Sequence, residues 1–398
     1  MNPSIVYVLP DKMGGMMTII ANLLAHRRPD ALTYWALLTH NRLSVDTPCC
    51  QALQADRQVR VEYSLPLENL HAVLRRLAAA VPVGPGALVA NDLLELAMAS
   101  LCDTGRTVIQ ILHGDHEYYY SLAATHEPVI DVFVAYSRAT YERLQERLPH
   151  RRESIVHLPF GVPIPPQVRT AMPGRLRLLF AGRLENEQKG VLELPVIDQH
   201  LRELGCTVQW TLVGAGPDEE QLRACWGDQP HVRWLGVKTN AQVIDLYADH
   251  DIFVLPTRDE GFSVALLEAM GAGLVPVVSD IRSGVPEVVE PGVTGFRPAV
   301  GDIAGFAAAI ATLDRNRDQL EAMSRAARQT VIERFDIRER VAGYQALYAR
   351  WSELRRPRPK EIALPYGSRL DQPWLPNGAV YAVRATRRWL KGAGRDRR

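Results

Sequence analysis

Two acids and two cations stand at spacings that could do chemistry. Glu260 and Glu268 lie eight positions apart in residues 251–286, DIFVLPTRDEGFSVALLEAMGAGLVPVVSDIRSGVP. On one continuous helix that separation is a rise of about 12 Å. Paired carboxylates that break a glycosidic bond sit closer, at roughly 5–9.5 Å. The two acids therefore suit opposite ends of an elongated ligand. A helix start at 262–264 lies between them, and its free N–H groups and dipole favour an anion. The order acid, helix N-terminus, acid fits a sugar hydroxyl, a phosphate and a ribose. Arg183 and Lys189 sit six positions apart in the stretch GRLENEQKG. Cations fixed in one loop would stabilise the charge that builds on a diphosphate leaving group, most strongly in the transition state.

The elements that must hold these residues read as alternating strands and helices. An apolar run at 252–255 suits a buried parallel strand, and 256–260 is a polar turn. A helix at 263–270 is stopped by Gly271 and Gly273, and a second apolar strand follows at 275–278. The two cations follow a strand at 177–181 and precede a helix running to 204. Further along come a strand at 209–213, the turn Gly214-Ala-Gly216-Pro217, a helix at 218–226, a strand at 232–235, a loop at 236–238 and a helix at 241–248. Helices at 303–313, 318–335 and 337–354 close this half.

The first half alternates in the same way: strand 5–9, a turn at Gly14-Gly15, helix 16–25, strands 32–38 and 59–63, helix 68–81, and strand 87–90 ending at Asn91-Asp92. Strands at 107–112 and 131–136 and a helix at 138–147 follow. A strand, glycine turn and helix open a doubly wound sheet. The third glycine and the acid of a dinucleotide fingerprint are missing, which disfavours a dehydrogenase. Gly14-Gly15 either lets backbone approach a phosphate or sugar, or is a plain turn. His113 comes just past a strand end, where such folds put ligand contacts. Tyr118, Tyr119 and Tyr120 either line a cleft or pack. Ser137 has no accompanying base motif and reads as a helix cap. The proline-rich 158–166 is a stiff linker, which puts a domain boundary at 165–172.

Residues 251–286 resemble the donor-binding segment of retaining glycosyltransferases of family 4, in its E-x7-E form. The resemblance rests on Glu260-Gly-Phe-Ser, Leu267-Glu268-Ala-Met-Gly-Ala-Gly, Gly284-Val-Pro-Glu and Gly292-x-Thr-Gly-Phe296, and extends over about residues 5–350. It implies the GT-B fold, an α/β architecture of two Rossmann-like doubly wound domains facing each other across a cleft. Residues 1–168, completed by 337–398, would be the acceptor side, and 172–336 the nucleotide-sugar donor domain. The implied activity is transfer of a hexose-like sugar from a nucleotide-sugar to an acceptor hydroxyl, with retention, in polysaccharide or glycoconjugate biosynthesis. Glu260 would orient the donor sugar and balance its oxocarbenium-like charge, and His113 would reach the sugar or diphosphate. Gly14 and Gly15 would face the donor from the other domain. Arg183, Lys189, Gly261, Phe262, Ser263 and Val264 would hold the diphosphate, and Glu268 the ribose hydroxyls. The turn at 214–217 would lie beside the nucleotide and the loop at 236–238 beside its base. The donor loop has no DxD motif and protein cations can do a metal's work, so no metal and no cofactor are expected. Two rivals are a nucleotide-sugar epimerase, which needs no acceptor, and a nucleotide-binding scaffold without turnover.

The whole chain sets the bounds. Its 398 residues suit two domains with their own cores. No apolar run approaches the roughly 20 residues of a membrane span. The first residues lack a basic region ahead of their apolar run, so they read as a strand and not as a signal peptide. Five cysteines, Cys49, Cys50, Cys102, Cys206 and Cys225, show no metal-ligand spacing and suit free thiols in the cytoplasm. Net charge is +1, but twelve Lys/Arg against four Asp/Glu from Trp351 onward give that tail +8 and leave −7 for the rest. That balance argues against nucleic acid. In the tail, Asn377 could cap a helix at 378–391 that gathers Arg384, Arg387, Arg388 and Lys391 on one face. With Trp389 beside it, such a helix suits peripheral contact with the inner face of a membrane, or docking on the first domain. The acceptor stays open between a glycan, a lipid-linked molecule and a small molecule.

Overall fold

The computed structural model describes residues 2–44, 49, 52–358, 362 and 367–393, with no side chains for 391–393. Apolar runs bounded by polar turns form twelve strands among these residues, in two sheets. The first holds β1 (Ser4–Pro10), β2 (Thr33–Asn41), β3 (Arg57–Tyr63), β4 (Gly86–Ala90), β5 (Thr107–Leu112), β6 (Val132–Ala135) and β7 (Ile155–His157), in the order β3-β2-β1-β4-β5-β6-β7. The second holds β8 (Leu176–Ala181), β9 (Val208–Val213), β10 (Val232–Gly236), β11 (Ile252–Leu255) and β12 (Val275–Val278), in the order β10-β9-β8-β11-β12. Every pairing between these strands is parallel. β4, β5, β6, β11 and β12 are buried at every position, which is why they read as unbroken apolar runs. In each sheet the order reverses direction once, between β1 and β4 and between β8 and β11. Ligands of doubly wound sheets bind at such points, beyond the carboxyl ends of the strands.

The link between the sheets is more than a stiff spacer. Phe160 and Val162 are fully buried. The Val162 N–H donates to Phe335 O (2.8 Å), and Val162 O accepts from the Ile337 N–H (3.1 Å). Gly161 must be glycine, since a Cβ there would lie 2.6 Å from Ile337 Cα. The helix Ile337–Ala349 then packs on the first sheet, where the Tyr7 hydroxyl donates to that of Tyr348 (3.0 Å) and the Tyr344 hydroxyl to Leu158 O (2.8 Å).

Several element boundaries differ from the sequence reading for local reasons. The helix expected to run to 204 is three pieces, Asn186–Lys189, Val191–Glu193 and Leu194–Glu203, because Gly190 turns left-handed at φ 63°. The last core helix breaks between Ala349 and Trp351. The helix after β11 runs Val264–Gly271, so Gly271 is its last residue, and the stop is Gly273 at φ 92°. The helix expected from 68 starts at Leu70, since the Asn69 side chain accepts from the His71 N–H.

The tail helix, Asn377–Ala393, lies on the first sheet's side of the molecule. The expected cap at Asn377 is spent elsewhere. Its Oδ1 accepts from the Asn69 N–H (2.8 Å) and its Nδ2 donates to Glu68 Oε2 (2.9 Å). Arg384 donates to Asp371 Oδ2 (2.7 Å), and Asp371 Oδ1 accepts from the Leu70 N–H (2.7 Å). Part of the basic face is thus the docked face. The Lys391 side chain and Cys50 lie outside the described residues. Cys102, Cys206 and Cys225 are free thiols, and Cys49 Sγ donates to Asp11 Oδ1 (3.2 Å).

Candidate functional site

The loops after β8 and β11, at the reversal point of the second sheet, are stitched together. The Arg258 N–H donates to Gln188 O (2.8 Å), and Gln188 Nε2 donates to Asp259 O (3.1 Å). A Cβ at Gly190 would lie 2.1 Å from Pro256 O, so only glycine lets the loops meet there. This contact brings Lys189 and Glu260 into an ion pair, with side chains 16% and 11% exposed. Arg183 projects from the same loop, 62% exposed, with Glu185 3.6 Å away. Glycines at 214 and 216 have a protein-internal reason. A Cβ at Gly214 would lie 1.9 Å from Gly182 O, and one at Gly216 2.2 Å from Leu184 O. The turn therefore packs directly under the Arg183 loop.

At the start of the helix Val264–Gly271, two side chains are committed inward. The Ser263 hydroxyl accepts from the Leu266 N–H (3.3 Å), capping the helix. The Phe262 ring is buried against Phe160 (5.4 Å between centroids) and Phe335 (5.3 Å). What Phe262, Ser263 and Val264 can offer a ligand is backbone N–H. At the other end of the helix, Glu268 is 2% exposed. Asn240 Nδ2 donates to its Oε1 (2.8 Å) and the Tyr247 hydroxyl to its Oε2 (3.2 Å). Burial pushes this carboxyl up to about 7, against the two donors that pull it down. Asn240 and Tyr247 escaped the sequence reading. The capping box Thr239–Gln242 was the available signal, since it starts a helix with Asn240 in its first turn.

The first sheet reaches these loops from across the cleft. A Cβ at Gly261 would lie 2.4 Å from His113 O and 2.5 Å from Gly114 Cα. One at Gly15 would lie 3.6 Å from Val264 Cγ2, while Gly14 faces open space. His116 Nε2 lies 3.9 Å from Asp259 Oδ2. Thus Gly15, His113, Gly261 and Val264 come together, with Lys189 and Glu260 adjoining.

His113 has a defined tautomer. Asn91 Nδ2 donates to Val8 O (2.7 Å), so Asn91 Oδ1 faces His113 and accepts from its Nε2–H (2.8 Å). The buried Nδ1 has no hydrogen-bond partner among the described residues. Burial pushes the imidazole down to about 3, so the ring is neutral and Nδ1 is a free acceptor. Asn91, at the end of β4, was not singled out from sequence as a site residue. The His113 ring stacks edge-on with Tyr136 (5.3 Å), Tyr136 with Phe160 (5.0 Å) and Phe160 with Phe262. One aromatic chain therefore joins the two sides of the cleft. The three tyrosines divide: Tyr120 is buried with its hydroxyl on Asp115, Tyr119 packs against His113, and the exposed Tyr118 bonds Asp92.

Two doubly wound parallel sheets meeting through the loops at their carboxyl edges define the GT-B fold. The structure is similar to sucrose-phosphate synthase from Thermosynechococcus elongatus, at TM-score 0.71 and 16% identity, over 87% of this chain and 98% of that one. It is similar also to HepE of Anabaena, solved with UDP and glucose, at TM-score 0.69 and 17% identity, over 87% of this chain and 100% of that one. Residues 175–316 match the family described as Glycosyl transferases group 1, so β8 to β12 and their loops are a group 1 glycosyltransferase domain. In sequence, 179 residues are 32% identical to the amylovoran biosynthesis glycosyltransferase AmsK of Erwinia amylovora, covering 43% of this chain and 44% of that protein. Another 32% identity, over 171 residues, relates it to the putative colanic acid biosynthesis glycosyltransferase WcaL of Salmonella typhimurium, covering 40% of this chain and 42% of that protein. The matches thus span less than half the length of these curated relatives. Among the described residues, no helix is long and apolar enough to cross a membrane.

Proposed function

We propose that the chain is a retaining, metal-independent glycosyltransferase of family 4 that moves a sugar from a nucleotide-sugar to an acceptor hydroxyl in polysaccharide biosynthesis. The observation that carries this reading is the Lys189–Glu260 pair at the reversal point of the second sheet, beside His113 of the first. The donor diphosphate would draw Lys189 from Glu260 and lie on Lys189, Arg183 and the backbone N–H groups of 262–264. Glu260 would then face the sugar. Neutral His113 would accept a sugar hydroxyl at Nδ1. Glu268, with Asn240, would take the ribose hydroxyls. The C1–O bond to the diphosphate breaks with its electron pair left on the diphosphate, and the acceptor oxygen bonds C1. The acceptor's proton passes to the departing diphosphate, so no external reductant or oxidant enters. Lys189 and Arg183 supply the positive charge that a metal would otherwise bring. Residues 1–168 with 337–398 would form the acceptor side and 172–336 the donor side, in a protein acting in the cytoplasm.

The test is product analysis with a panel of nucleotide-sugars. Release of nucleoside diphosphate that depends on acceptor and falls in Lys189→Ala supports transfer. A free nucleotide-sugar isomer formed without acceptor means an epimerase, and binding without any turnover means a scaffold.

A further inference from the structure

A pocket of about 840 Å³ lies at the carboxyl edge of the first sheet, within the size range of small-molecule sites. Pro10, Thr39, Tyr63 and Asp92 bring the ends of β1 to β4 to it. Its walls are apolar: Leu65, Pro66, Leu67 and Leu70 on one side, Leu93 and Leu94 on the other. The remaining side is closed by the tail, through Ser368, Asp371, Arg384, Arg387 and Arg388. This wall lies beyond residue 350, where the sequence resemblance to family 4 ends.

Charge around the pocket is unevenly satisfied. Arg384 is neutralised by Asp371 and also donates to Ser368 and Glu68 O. Asp92 accepts from the Leu93 N–H (2.8 Å) and from the Tyr118 hydroxyl. Glu95, buried in the floor, is pushed up to about 8 by burial and is mostly uncharged at neutral pH. Arg387 and Arg388 are exposed and have no carboxylate partner among the described residues. Two cations therefore stand beside a leucine-lined chamber. A small hydrophilic ligand would leave the leucines unused, and an uncharged lipid would leave the arginines unused. One lining residue, Asp92, directly follows Asn91, the partner of His113 in the proposed donor site. On the outer side of the tail, Trp389 and Leu390 are 70% and 58% exposed. Large apolar groups at that place suit the surface from which a lipid is drawn.

We propose that this pocket seats the acceptor, and that the acceptor is a lipid-linked phosphate. Its apolar chain lies among the leucines and its phosphate or diphosphate on Arg387 and Arg388. The hydroxyl to be glycosylated reaches past Asp92 toward His113. The assignment of this molecule as acceptor rests on the transferase reading above; the site itself does not.

The test is calorimetric titration of the full chain with farnesyl diphosphate, farnesol and pyrophosphate, for the wild type and Arg387→Ala/Arg388→Ala. Both arginines are exposed, so the variant should keep its fold. Charge-assisted contacts are strong enough that the variant should bind farnesyl diphosphate at least about tenfold more weakly. Farnesol and pyrophosphate alone should each bind the wild type at least about tenfold more weakly than the joined molecule. Equal binding by the variant, equal binding of pyrophosphate, or no binding of farnesyl diphosphate would overturn the proposal. Binding only to anionic vesicles would mean a membrane surface contact and would overturn it too. A thermal shift with nucleoside diphosphate, read on the same samples, reports the donor site independently. Its loss with farnesyl diphosphate binding intact would sink the transferase reading and leave the pocket standing.

Discussion

Gly261 has no room for a methyl group, and the consequence is specific. An added Cβ would meet His113 O at 2.4 Å and Gly114 Cα at 2.5 Å, both backbone atoms that cannot swing aside. Gly261 is not among the glycines at positive φ, so alanine brings no backbone strain within its own loop. The clash therefore falls wholly on the contact between the loops after β5 and β11. Overpacking of this kind costs about 1–3 kcal/mol. Drawing the two sheets apart relieves it, whereas unfolding either sheet does not help. The closed arrangement should become about 5- to 150-fold less favoured. In steady-state kinetics on the nucleotide-sugar, Gly261→Ala should lower kcat/KM by a factor in that range. Its melting temperature should move little. Gly114→Ala is the control: the nearest atom to a Cβ there is Tyr119 Cε2 at 3.2 Å, a side chain that can give. It should cost less activity than Gly261→Ala. An unchanged kcat/KM in Gly261→Ala would refute the claim that catalysis needs this contact.

Other outcomes follow from single groups. Glu268 is raised from 4.5 to about 7, so the folded chain holds a proton there that the unfolded chain has released. Its contribution is fully present below pH 4.5 and is lost as pH rises through 7, about 3 kcal/mol in all. Denaturant unfolding of Glu268→Gln should lack that decline between about pH 4.5 and 7; an unaltered slope would contradict it. His113 has the opposite sign: with its pKa lowered from 6.5 to about 3, stability from its neutral ring is lost as pH falls below 6.5. Its ring nitrogens, followed by NMR, should show the Nε2–H tautomer unchanged at pH 6, and titration near 6.5 would show the ring to be solvated. Phe262→Ala removes a buried ring between Phe160 and Phe335 and should cost about 3–5 kcal/mol of unfolding free energy. A change below about 1 kcal/mol would mean that the aromatic chain does not hold the two sheets together.

The fold was legible because strands buried on both faces must be continuous apolar runs, as at 252–255 and 275–278. The glycine spacings were legible as well, although the packing of Gly214 and Gly216 against the loop after β8 was not. What stayed hidden depends on partners distant in sequence. Nothing near Glu268 announces Asn240 or Tyr247, and nothing near His113 announces Asn91, 22 positions away. Asn377 looked like a helix cap because capping is the commonest use of an asparagine there. Its real partners, Asn69 and Glu68, are more than 300 positions away. The same distance concealed that the basic face of the tail lines a pocket.

The most direct measurement of the donor site is thermal unfolding with UDP, GDP, TDP and ADP, for the wild type and Lys189→Ala. A ligand that binds only the native state adds about 2.7 kcal/mol at one hundred times its dissociation constant. One nucleotide should raise the melting temperature of the wild type, and Lys189→Ala should lose most of the shift. No shift with any nucleotide at millimolar concentration, or a shift that Lys189→Ala keeps in full, would contradict a diphosphate bound at the Lys189–Glu260 pair.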